Sequence, residues 1–104
     1  FIKDVHSILK KSEIDYLLFG HLGDCHLHFH LIPNKSNVEL SLDIYNKIID
    51  KSAKLDGVYS AEHGTGKRKK IDLLKCYNQD AVNQILKCRT GFDSNLILNQ
   101  GNVV

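Results

Sequence analysis

The chain has no methionine, no apolar run near the roughly 20 residues that a bilayer span needs, and no cysteines at CxxC spacing. Each absence excludes something. Without a long apolar run there is no transmembrane helix to place, and no signal-peptide pattern opens the sequence. Cys25, Cys76 and Cys88 are odd in number and far apart, which argues against a disulfide scaffold and for a reducing compartment. A cytoplasmic location is the expectation, with a membrane-peripheral or organellar one open if targeting information lies upstream. The missing methionine, and a first residue that falls straight into a helical pattern, lead us to expect that the natural start lies upstream and that the chain is a fragment or processed product. Charge of one sign is also scarce. A net +2, without interleaved aromatic and basic side chains, leaves no footprint for nucleic acid.

What is present suits one small globular domain with a modest core: 104 residues, 42% hydrophobic and 25% charged. Phe1, Val5, Ile8 and Leu9 recur at helical spacing up to about Lys11. Ile14 to Gly20 is apolar but for Asp15, and is read as the pattern of a strand buried on both faces. After a Gly23-Asp24 turn, Cys25 to Ile32 alternates strictly, with Leu27, Phe29 and Leu31 on one face and His26, His28 and His30 on the other. Two strands around a short turn predict a hairpin. Pro33 to Asn37 reads as a loop, and Val38 to about Leu55 returns to helical spacing with Ile44, Tyr45, Ile48, Ile49 and Ala53 as its stripe. Gly57 would end that region, and Val58 to Glu62 reads as a short third strand. Two further helices are predicted near 67–76 and 79–88, the second capped by Asn78 and closed by Gly91. The expected fold is α+β: a small antiparallel sheet with helices packed on one face, a ferredoxin-like unit lacking its first strand, plus C-terminal helices.

Five of the six histidines stand at 21, 26, 28, 30 and 63, and the hairpin alone gathers four of them. Imidazole nitrogen is a common ligand for zinc and other first-row metals, and a carboxylate completes a mixed nitrogen and oxygen site; Glu62 is the best-placed candidate. The alternative is a solvated polar sheet face that happens to be rich in histidine. Gly64 to Lys70 (GTGKRKK) suggests a phosphate loop but fails as a Walker sequence, with Ala61 where glycine is needed and Arg68 where Ser or Thr is needed. The dinucleotide fingerprint fails at Lys69. A glycine loop opening a basic helix could still hold an anion, against the plainer reading of a solvated helix end. No nucleophile elbow surrounds Ser60. Cys76 and Cys88 read as small buried hydrophobes.

Three blocks in order, Gly20 to His28 (GHLGDCHLH), Ser60 to Gly66 (SAEHGTG) with Lys69, and Phe92-Asp93 to Leu98-Asn99-Gln100-Gly101, resemble the C-terminal domain of FAD-linked D-lactate, glycolate and D-2-hydroxyglutarate dehydrogenases. The resemblance spans nearly the whole chain. It implies that residues 1–104 are a substrate- and metal-binding cap domain, with a flavin-binding domain expected upstream. It also implies that His21, His28 and Glu62 hold a divalent metal (zinc, manganese or iron), and that His63 is the base that takes the substrate hydroxyl proton. His26 and Lys69 would contact the substrate, a small 2-hydroxy acid, and FAD would accept the hydride; the electron acceptor is not implied.

The family pattern departs here at two places inside the site: glycine is replaced by Cys25 and asparagine by His26. In the tail, Ser94 and Gln100 stand where prolines are usual, and Asn102 where lysine is usual. The expected function is therefore the C-terminal part of an FAD-dependent oxidoreductase, inactive when isolated. The competing expectations are a metal-dependent hydrolase and a non-catalytic metal-binding or interaction domain.

Overall fold

The computed structural model describes residues 1–104, which form two compact units, Phe1–Ser52 and Ala53–Val104. Four α-helices and a two-stranded antiparallel sheet make up an α+β domain, as the periodicities predict.

The first unit holds α1 (Ile2–Lys11), β1 (Asp15–His21), a short 3-10 turn (Leu22–Asp24), β2 (His26–Ile32) and α2 (Val38–Ala53). Helix α1 stops where Ser12 bonds back to the helix, its N–H and hydroxyl both donating to the Leu9 carbonyl at 3.1 and 2.6 Å. Glu13 then takes a left-handed conformation and turns the chain into Ile14. Helix α2 follows a loop in which the Ser36 N–H donates to Asn34 Oδ1 at 3.0 Å.

Val5, Leu9, Ile14, Ile44 and Ile48 form the core, and Tyr16, Leu18, Leu27, Phe29 and Leu31 pack on it from one sheet face. Leu9, Ile48 and Val5 are buried almost completely, each stabilising the unit by about 1.5–3 kcal/mol. The pairing runs from Asp15↔Ile32 to His21↔His26, so strand alternation places Leu17, Phe19 and His21 beside His26, His28 and His30 on the opposite face. Leu17 and Phe19 are half-exposed there, which corrects the expectation of a strand buried on both faces: α1 and α2 supply apolar cover to one face only. Lys51 bridges to Asp4 at 3.0 Å, tying α2 to α1 and holding the Asp4 carboxyl below its ordinary range. An exposed pair of this kind contributes little to stability.

The second unit contains α3 (Lys70–Cys76) and α4 (Gln79–Phe92). The expected strand at 58–62 is absent, so the ferredoxin-like reading loses its last strand; the segment is taken up by turns held with local hydrogen bonds. Asn78 caps α4 as expected, its Oδ1 accepting from the Ala81 N–H at 2.9 Å. Gly91 does not close the helix, which continues to Phe92 and ends where the Asp93 N–H donates to the Arg89 carbonyl. Buried side chains in this unit are Ser60, Asp72 and Leu73 alone. Helix α4 buries none, so Cys88 is exposed rather than part of a core, and Cys76 is only half-buried.

Candidate histidine-rich site

In the first unit the hairpin connection determines where the imidazoles stand. Residues 22–25 make the turn, closed by the Cys25 N–H donating to the Leu22 carbonyl at 3.2 Å. Cys25 sits at φ 52°, ψ 33°, in the left-handed region. Here the family pattern has glycine, which adopts that conformation freely, whereas a side chain costs roughly 1–2 kcal/mol. Cys25→Gly is therefore expected to stabilise the hairpin by about 1 kcal/mol in urea unfolding; a neutral or destabilising result would remove strain as the account of this position.

On the outer face the His26 and His28 ring centres are 4.3 Å apart, and His21 and His26 lie 6.0 Å apart across the strand pair. Phe19 stacks on His28 at 5.2 Å, with planes 26° apart, and meets His30 edge-on at 5.4 Å. The close strand approach beneath these rings depends on Gly20. A Cβ there would sit 2.1 Å from the His26 carbonyl oxygen and 2.9 Å from the Leu27 Cα. Several imidazoles on one face are a donor set that suits first-row divalent metals.

The second unit carries the other expected site residues, Glu62, His63 and Lys69, on a single tightly bonded loop. The His63 N–H donates to the Ser60 carbonyl at 2.9 Å, and the Ser60 hydroxyl donates to the Gly64 carbonyl at 2.6 Å. Lys69 Nζ donates to Ser60 Oγ at 2.8 Å, and the Tyr59 and Thr65 hydroxyls are hydrogen-bonded to each other. Glu62 and His63 thus project from a turn pinned at its base, both exposed, with His63 Nε2 4.0 Å from Glu62 Oε1. Gly64 and Gly66 have positive φ, and Ala61 adopts it at 44°. The Val103 N–H reaches the Gly66 carbonyl at 3.2 Å, so the tail joins this loop.

Sequence reasoning missed two of these supports. Ser60 enters the sequence reading as a poor nucleophile candidate and as the first residue of the SAEHGTG block, not as a brace for the loop. Arg89 donates to the Leu98 carbonyl at 2.7 Å and to the Val104 carbonyl, clasping the tail to α4. Nothing one-dimensional marks it, because its acceptors lie 9 and 15 residues further on.

The first unit thus presents an imidazole-bearing hairpin and the second a glycine-rich acid–histidine loop. The chain belongs to the family described as FAD linked oxidases, C-terminal domain, whose family model matches residues 1–103. Among curated relatives, a D-2-hydroxyglutarate dehydrogenase of Stutzerimonas stutzeri is 30% identical over 99% of this chain and 24% of its own length. A D-lactate dehydrogenase of Anaerostipes hadrus is 27% identical over 99% of this chain and 22% of its own. A probable mitochondrial D-2-hydroxyglutarate dehydrogenase of Oryza sativa subsp. indica is 30% identical over 83% of this chain and 15% of its own. The chain spans about a quarter or less of the relatives it matches. No helix is long and apolar enough to cross a membrane.

Proposed function

We propose that this chain is the C-terminal, substrate-side portion of an FAD-dependent dehydrogenase that oxidises a small D-2-hydroxy acid, of the lactate, glycolate or 2-hydroxyglutarate type, to the 2-oxo acid. The observation that carries this reading is the family match across residues 1–103. On this reading His21, His28 and Glu62 hold a divalent metal, zinc, manganese or iron. When bound, the metal would supply Lewis-acid polarisation of the substrate oxygens, and the flavin would supply the hydride acceptor. The protein residues do the rest. His63 accepts the hydroxyl proton, a proton-transfer role that imidazole side chains fill more often than any other. His26 and Lys69 meet the substrate carboxylate; Lys69 already donates to Ser60, and an ammonium has two further donors for an anion. The Ser60 brace keeps the His63 turn in one conformation, the preorganisation that proton transfer at a set atom needs.

The test is anaerobic reduction of the full-length flavoprotein's FAD by D-lactate, glycolate and D-2-hydroxyglutarate, compared with their L-isomers where these exist. Bleaching by at least one D-acid or by glycolate is expected. The 104-residue chain alone should bind no flavin and turn over none of them. Turnover by the isolated chain, or a flavoprotein indifferent to all three acids, would overturn the proposal.

A further inference from the structure

We infer that His26 is a metal ligand, and that His21, His26 and His28 form a three-imidazole cation site on the outer face of the hairpin. This rests on the reading above that the domain holds a divalent metal through His21 and His28, and it assigns His26 to that metal in place of the substrate carboxylate. His26 and His28 alternate along β2 and so share a face, while the register sets His21 directly opposite His26. His26 is thus the residue both others adjoin, at ring-centre distances of 4.3 and 6.0 Å. A ring nitrogen of His26 lies within 4.8 Å of one of His28. Two imidazoles sharing a tetrahedral metal, with bonds of about 2.0–2.1 Å, bring their nitrogens to about 3.4 Å. Small side-chain rotations within ordinary rotamer wells cover that difference for His26 and His28, and His21, at 6.0 Å between ring centres from His26, must swing further to join them. Phe19, stacked on His28, limits how far that ring can swing.

The chemical consequence concerns which metal is taken. Where the family pattern has asparagine, residue 26 would offer at most an amide oxygen, a hard ligand that suits manganese as well as zinc. Imidazole at this position moves the donor set toward nitrogen and the later first-row cations. A site of His21, His26 and His28 should therefore favour Zn²⁺ over Mn²⁺ more strongly than one with asparagine at position 26.

The experiment is titration with Zn²⁺ and, separately, Mn²⁺, of the chain and of the full-length protein, comparing wild type with His26→Asn, His28→Ala and His30→Asn. His30 shares the outer face but lies beyond the cluster, and circular dichroism checks that each variant is folded. The expected result is that His26→Asn weakens Zn²⁺ binding about 10-fold or more, at least the cost of losing an outer-shell partner. Mn²⁺ affinity should change less, and His30→Asn should change neither. If His28→Ala loses Zn²⁺ while His26→Asn binds like wild type, His26 is not a ligand and the metal reading survives without it. If neither the chain nor the full-length protein binds Zn²⁺ or Mn²⁺, both fall. If His26→Asn and His30→Asn weaken binding equally, the three-imidazole site is wrong and the effect belongs to the face as a whole.

Discussion

Gly20→Ala is expected to lower the unfolding midpoint of the chain by about 10 °C or more. The new methyl carbon would lie 2.1 Å from the His26 carbonyl oxygen and 2.9 Å from the Leu27 Cα, and both are backbone atoms. No rotamer change relieves such an overlap, so the strands must separate at the Gly20↔Leu27 pair. Overpacking of this kind costs about 2–3 kcal/mol, and a domain of this size loses about 4–8 °C per kcal/mol. The opening falls beside His21 and His26, so on the proposed metal site Zn²⁺ affinity should drop with stability. Gly23→Ala is the control, because a Cβ there has nothing within 4 Å. Circular dichroism melts of the two variants decide the matter: equal midpoints would mean that the close strand approach is not essential to the hairpin.

The second large effect is expected at His63. On the proposed function, His63→Gln in the full-length flavoprotein should lower kcat for D-2-hydroxy acid oxidation by about 10²–10⁴-fold, the usual contribution of a positioned general base. Glutamine keeps the polarity and approximate size of the ring but cannot accept the proton. Zn²⁺ affinity should stay within a few-fold of wild type, since His63 is not among the proposed ligands. A variant that keeps its kcat would remove His63 from the base role and leave the metal assignment untouched.

Much of the fold was legible one residue at a time. The alternation from His26 to Ile32 identified the strand and divided its faces correctly, because the two-residue period belongs to the extended backbone itself. The stripes of α1 and α2 and the Asn78 cap were equally readable, since each is a local property of four to eight residues. The errors have a common cause. Val58 to Glu62 has the composition of a short strand, yet a strand exists only if another edge receives its hydrogen bonds. Ser60 instead bonds within its own turn, to Gly64 and Lys69. Gly91 looked like a stop because glycine disfavours helix interiors, but the cost is only about 1 kcal/mol, and α4 continues one residue beyond it.

The candidate site divides along the same line. The candidate side chains were written in the sequence: the histidines of the hairpin, Glu62 and His63 side by side, and the glycines that follow them. Residue type and period-two spacing suffice for that, because chemical identity and strand facing are both local. Tertiary structure alone decided that His21 stands opposite His26, that Gly20 must lack a side chain because a neighbouring backbone occupies the space, and that Cys25 falls at a left-handed position. It also decided that Lys69 closes on Ser60 and that Arg89 clasps the tail. These depend on strand register and on contacts between residues distant along the chain, which are settled only when packing selects one arrangement among many that the local preferences allow.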